Sequence, residues 1–211
     1  MKHLTTTILI GLLVISTNSF GQTADRKNNI SIGGGKESYN GDLGNSWFHF
    51  DEEWYGFVSI HYSRYLNRSF DLSASVTHGD YGKCREHDDK IYREDGTEVL
   101  NMLSRLTTGI VSVKYKFANG YLLKENAKFA PYIYLGGGIN NISNRWWNNK
   151  NRVNPGNFAS VNGGIGLRYN FYKNFSFTYN VGVGYFTSDN LDFRSSNDKY
   201  LQNTFLLGLN F

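Results

Sequence analysis

Strict alternation of apolar with small or polar residues recurs along this chain, and it limits the fold more than any other feature. In 175–185, Phe175, Phe177, Tyr179, Val181, Val183 and Tyr185 alternate with Ser176, Thr178, Asn180, Gly182 and Gly184. Successive side chains of a β-strand point to opposite faces, so such a segment is a strand with one apolar face and one small or polar face. The pattern repeats at 160–171 (Val161, Gly163, Ile165, Leu167, Tyr169, Phe171 against Ser160, Asn162, Gly164, Gly166, Arg168, Asn170) and, less cleanly, at 204–211 (Phe205, Leu207, Leu209, Phe211 against Thr204, Leu206, Gly208, Asn210). Toward the N-terminus it recurs at 130–140, 105–117, 70–78, 54–65 and, more briefly, near 30–38. That makes eight segments, each near the roughly 9 to 11 residues that a tilted strand needs to cross the hydrocarbon of a bilayer.

The polar faces are crowded with Gly, Ser, Thr and Asn, which suits a narrow filled lumen; the apolar faces then point outward into lipid. The expected fold is all-β: a closed antiparallel up-and-down transmembrane β-barrel of about eight strands, with ten as the alternative. A mean hydropathy of −0.46 does not argue against this, because the two faces of each strand average out. The 15 Tyr and 15 Phe, with only 2 Pro, suit strands and aromatic girdles. A soluble lipocalin-like barrel is the rival fold, but its outer face would be polar.

Connections alternate in length. Residues 66–69 and 172–174 are short, whereas 39–53, 80–103, 141–157 and 187–199 are long and polar. Membrane barrels alternate short periplasmic turns with long extracellular loops in this way, and an even strand count places both termini on the periplasmic side. The connection 118–128 is long for a periplasmic turn. Within 80–103, Lys90–Glu94 and Thr97–Leu100 flank Asp95-Gly96 and read as a hairpin, so the third and fourth strands are expected to project from the membrane as a ribbon.

The N-terminus carries Lys2, an apolar stretch from Ile8 to Ile15 and small residues at Ser19 and Gly21, the pattern of a cleaved secretory signal. The expected division is a signal peptide over 1–21 and a barrel domain over 22–211. The single cysteine, Cys84, has no cysteine to pair with. A net charge of +4, spread along the chain, gives no ground for nucleic-acid binding.

The signal sequence, the eight alternating segments, the order of turns and loops and the terminal Phe211 together resemble the small OmpA/OmpX-like outer-membrane barrels of Gram-negative bacteria. The resemblance implies an outer-membrane location, contact with outer-membrane lipid and lipopolysaccharide, and recognition by the barrel assembly machinery through Phe205, Leu207, Leu209 and Phe211. It implies no cofactor. A peptidoglycan-binding domain, present in full-length OmpA-type proteins, is not expected here.

Candidate sites are few. His61, Asp71, Lys114, Lys116 and Arg168 fall on the polar faces, and are expected to pair inside the lumen with hydrogen bonds from Asn162, Asn180 and serines; a gated ion path is the alternative. Arg145, Trp146, Trp147, Lys150 and Arg152 form a basic, aromatic loop segment suited to an extracellular ligand or to lipopolysaccharide phosphates. Residues 84–89 hold a histidine and several carboxylates, but the spacing fits no metal loop and reads as a solvated charged loop. Glycine clusters at 33–35 and 136–138 lack the Lys-Ser/Thr pair of a phosphate loop. Asn141-Ile142-Ser143-Asn144 looks like the His-x-Ser-Asn segment of lipid A deacylases, yet Asn141 stands where the family's catalytic histidine would be. The reading is therefore a non-enzymatic barrel with a structural or adhesive role carried by its loops. A narrow channel or small-solute porin is the first alternative, a lipid A-modifying enzyme the second.

Overall fold

The computed structural model describes residues 24, 26–40, 55–84, 91–92, 98–99, 101–144, 156–172, 174–187 and 199–211. The proposed signal peptide, the basic aromatic loop 145–152 and the acidic segment 85–89 lie outside the described residues, as does the side chain of Cys84. Among the described residues there are ten strands: β1 (Asn28–Asn40), β2 (Tyr55–Tyr65), β3 (Phe70–Cys84), β4 (Ile91–Tyr92), β5 (Glu98–Val99), β6 (Asn101–Lys116), β7 (Phe129–Asn144), β8 (Gly156–Tyr172), β9 (Phe175–Phe186) and β10 (Lys199–Asn210). Eight of them close a barrel in the order β1-β10-β9-β8-β7-β6-β3-β2, every neighbouring pair antiparallel. The remaining two, β4 and β5, form the small hairpin expected between the third and fourth barrel strands, pairing Ile91 with Val99 and Tyr92 with Glu98. Its Asp-Gly turn lies outside the described residues.

The barrel closes where β1 meets β10, in a ladder from Asn29↔Asn210 to Asn40↔Lys199. Asn28 and Phe211 exchange two backbone hydrogen bonds of 2.9 Å, and Asn29 Nδ2 donates to Asn210 Oδ1 at 2.8 Å. Closure leaves the sheet no free edge, as a barrel in lipid requires.

Outward-facing residues form an apolar belt. Ile32, Val58, Leu135, Ile139, Ile165 and Leu207 are each at least 60% exposed. Stacked or edge-on aromatic pairs, Phe129 on Tyr169 and Phe70 on Tyr115, border the belt near the short turns. No water-soluble barrel presents such a surface, because the apolar side would turn inward.

Four adjacent strands, β3, β6, β7 and β8, run to 15, 16, 16 and 17 residues, against 11 for β2 and 12 each for β9 and β10. All of the extra length lies at the end bearing the long loops. At about 3.3 Å per residue, four or five extra residues lengthen these strands by roughly 15 Å. β3 and β6 stay paired out to Cys84↔Asn101, well past the last β2–β3 pair at Phe57↔Gly79. These strands run further than 70–78, 105–117, 130–140 and 160–171, the segments marked by alternation.

The reason is that the alternation inverts. On β6 and β7, Val111, Val113, Ile133, Leu135 and Ile139 face out while Ser112, Lys114, Tyr132 and Asn140 face in. Toward the loops the exterior becomes polar with Thr107, Arg105, Asn141 and Ser143, and the interior gains the apolar Leu106 and Ile142 beside the buried Ser104. The polar exterior is linked across strands: His78 Nδ1 lies 2.8 Å from Thr107 Oγ1, Arg105 lies 3.8 Å from Asp80, and Asn141 Nδ2 donates to Asn157 Oδ1 at 2.8 Å. The barrel thus changes from a membrane protein to a water-soluble one along single strands.

Candidate functional site

The lumen is built in three levels. At the end bearing the short turns, β3 contributes Asp71, β6 contributes Lys114 and Lys116, and β8 contributes Arg168, all of them buried. Each stands at an inward position fixed by the alternation of its strand. Lys116 Nζ donates to Asp71 Oδ1 at 2.5 Å and sits over the Tyr65 ring, 4.1 Å from its centre. Such short charge-assisted bonds hold buried ions, since a buried charge without its partner costs about 3–5 kcal/mol. The 118–128 connection is an ordered turn: Asn119 Oδ1 accepts the backbone N–H groups of Tyr121 and Leu122, and Gly120 takes a φ of 84°, open to glycine without strain. From this turn Glu125 accepts the Tyr65 hydroxyl at 3.2 Å, and Asn170 Nδ2 donates to the Ala127 carbonyl at 3.1 Å. The length of the connection therefore serves to reach the barrel mouth.

In the middle level three tyrosines cross the lumen. Tyr132 donates its hydroxyl to Asn180 Oδ1, and Tyr200 donates to Asn162 Oδ1. Asn162 and Asn180 thus receive tyrosine hydroxyls. The tyrosines fit because glycines face them. A Cβ on Gly166 would collide with the Tyr132 ring, one on Gly182 with the Tyr134 hydroxyl and one on Gly184 with the Tyr200 ring. Serine and threonine pairs line the opposite wall, with Ser73 and Ser112 hydroxyls 2.9 Å apart, Ser59 and Thr77 3.0 Å apart, and His61 Nε2 2.8 Å from Ser59 Oγ. Between these groups lies a cavity of about 30 Å³ bordered by His61, Ser75, Lys114, Tyr134 and Asn180.

At the loop end the lumen gains apolar side chains beside buried polar ones, Glu37 and Ser104. Leu106 and Ile142 face each other across β6 and β7, Phe57 packs over Gly79, and the Phe186 and Tyr200 rings lie 5.3 Å apart. All five side chains are buried.

The sequence predicts full pairing of the lumenal charges, and the structure departs from it. Lys116 pairs with Asp71, but among the described residues Lys114 makes no ion pair; its ammonium lies 5.2 Å from the centre of the Tyr132 ring. His61 bonds to a serine rather than to a charge. Two further features escape a sequence reading. Glu37 is a buried inward carboxylate of β1 that accepts from Gln202 Nε2 at 2.9 Å, and carrying the alternation of 30–38 to its end would have found it. The Tyr–Gly pairs are visible only as alternation, since their partners come from other strands. Phe205, Leu207 and Leu209 face outward on β10, and Phe211, also exposed, follows at the seam. Asn141 and Ser143 of the deacylase-like segment are exposed on the outer face of β7, with Ser143 opposite Arg105. Among the described residues no group of three metal-ligating side chains occurs.

A closed eight-stranded antiparallel barrel with an apolar belt and a filled polar lumen defines the class: this chain has the fold of the small outer-membrane β-barrels. It is similar to the crystal structure of Neisserial surface protein A, with a TM-score of 0.58 and 12% identity over 87% of this chain and 97% of that one. It is likewise similar to the outer membrane protein OprG from Pseudomonas aeruginosa (TM-score 0.51, 10% identity, 88% and 97% covered). A major outer membrane protein from Thermus thermophilus compares at TM-score 0.51 and 13% identity, with 87% and 99% covered. At these identities the likeness is one of fold. Comparison with protein-family models and with curated proteins gives no match.

Proposed function

We propose that this protein resides in a bacterial outer membrane with its long loops outside and both termini in the periplasm, and that it acts there as a structural or adhesive surface protein through its loop end. The observation that carries this reading is the filling of the lumen at three successive levels: the Asp71–Lys116 pair, the crossing tyrosines, and the Leu106–Ile142–Phe186 layer. A solute path would have to open all three. The tall wall of β3, β6, β7 and β8 supports the same reading, since strand beyond the belt serves no purpose in spanning lipid and instead carries the loops outward.

Heat-modifiability on gels with fractionation of producing cells tests the location. A protein that resists unboiled SDS and partitions with the outer membrane is expected; one found soluble in the periplasm and unfolded by cold SDS would overturn it. Reconstitution in planar bilayers tests the role, with no stepwise conductance expected. Stepwise conductance would replace this reading with the narrow-channel one. For the loop 145–152, exchange of Arg145, Lys150 and Arg152 for Gln should reduce the lipopolysaccharide retained by the purified protein, and unchanged retention would remove lipopolysaccharide as its ligand.

A further inference from the structure

The end of the barrel bearing the short turns carries a surface patch that neither the lumen nor the belt accounts for. In the 118–128 connection Tyr121, Leu122 and Leu123 are 79%, 61% and 42% exposed, and in the β2–β3 turn Leu66 is 53% exposed. The two turns form one surface, because Glu125 reaches from the first to the second, accepting the Tyr65 hydroxyl and lying 3.9 Å from Arg68. The apolar tip is held by its own backbone. Asn119 Oδ1 accepts from Tyr121 and Leu122, the Gly120 N–H donates to the Leu123 carbonyl at 2.8 Å, and the Leu123 N–H donates to the Phe117 carbonyl at 3.1 Å. Cations surround it: Arg64, Arg68 and Lys124 are exposed and Lys128 is half-buried. Among the described residues of these two turns Glu125 is the only carboxylate, and Arg64, Lys124 and Lys128 make no ion pair. The patch also abuts the girdle, since Phe70 follows Arg68 by two residues and Phe129 follows Lys128 directly, each against a tyrosine ring. Girdle aromatics mark the level of the lipid headgroups, so these turns begin at that level.

We infer that this patch binds anionic glycerophospholipid in the leaflet at the short-turn end. Arg64, Arg68, Lys124 and Lys128 meet the headgroup phosphates, while Leu66 and the Tyr121-Leu122-Leu123 tip lie against the start of the acyl chains. Apolar side chains interleaved with lysine and arginine are the pattern that seats a surface at the boundary between headgroups and acyl chains. Four cations against one carboxylate favour headgroups of net negative charge over zwitterionic ones. The inference rests on the reading that the barrel spans a membrane with its short turns at one face, and is independent of what the loops do.

The test uses the protein refolded into phosphatidylcholine vesicles, with spin-labelled phosphatidylglycerol or spin-labelled phosphatidylcholine added as the probe. Electron spin resonance reads the fraction of each probe immobilised at the barrel. At low salt phosphatidylglycerol should be preferred by about threefold or more. The ratio should fall toward one in about 1 M sodium chloride, where charges are screened within about 3 Å. Joint exchange of Arg64→Gln, Lys124→Gln and Lys128→Gln, which leaves the Arg68–Glu125 pair in place, should abolish the preference. A ratio of one for the unmodified protein would overturn the inference and leave the patch to a protein partner. A triple variant that keeps the full preference would overturn it too, by moving the lipid to other cations of the barrel. If the triple variant does not refold, Lys124→Glu on the exposed turn decides: the ratio should drop, and an unchanged ratio would overturn the site. Failure of the unmodified protein to enter vesicles at all would overturn the membrane reading itself, whereas insertion without lipid preference would overturn this inference alone.

Discussion

The two ends of β6 and β7 solve opposite problems with the same backbone. Near the short turns these strands hide lysine and tyrosine and display Val113, Ile133 and Leu135; near the loops they hide Leu106 and Ile142 and display Arg105 and Asn141. The first arrangement suits lipid outside, where each buried charge needs a partner inside; the second suits water outside, where an ordinary apolar core forms inside. The level of the solvent boundary is thus written into individual strands, between Ile139 and Asn141 on β7.

This comparison can be broken most severely at the charged level. Asp71→Ala leaves Lys116 buried without its carboxylate and should cost about 3–5 kcal/mol, read from the urea midpoint of the vesicle-refolded barrel. A neutral outcome would mean that the lower lumen does not depend on ion pairing. At the apolar level, Ile142→Ala should cost about 2–4 kcal/mol in the same assay, as a side chain cut from a packed core does. Little loss would show the loop end to be a loose collar rather than a core.

The outer face sharpens the boundary. Leu135→Arg places a charge in the belt and should cost about 2–4 kcal/mol, whereas Asn141→Arg, six residues along the same face, should fall to about 0–1 kcal/mol. Equal costs would remove the boundary between them. A comparably small effect is expected at the exposed His78–Thr107 bond, where Thr107→Val should change stability by about 0.5–1 kcal/mol.

Much of this was legible in the sequence because period two is a direct readout of which face a strand residue occupies. Eight strands, their outward faces and the inward positions of Asp71, Lys114 and Arg168 follow from that alone. Strand ends did not, because Leu106 and Ile142 reverse the polarity and cancel the pattern that marks Val111 and Ile139. The lumenal network was harder still. Tyr132 and Gly166, or Tyr134 and Gly182, are complementary only once strand register brings them together, and spacing along one segment carries no information about that. Which lysine takes the carboxylate is likewise a property of three-dimensional reach, since Lys114 is the register neighbour of Asp71 yet Asp71 bonds Lys116.

The seam has a consequence in time. Asn29 bonds Asn210 across 181 residues of chain, and the first strand lies against the last. Contacts so distant in sequence form late and slowly, because loop closure must precede the ladder that rewards it. Until β10 arrives, β1 has only one edge satisfied, so the sheet keeps an open edge until both ends of the ladder are in place.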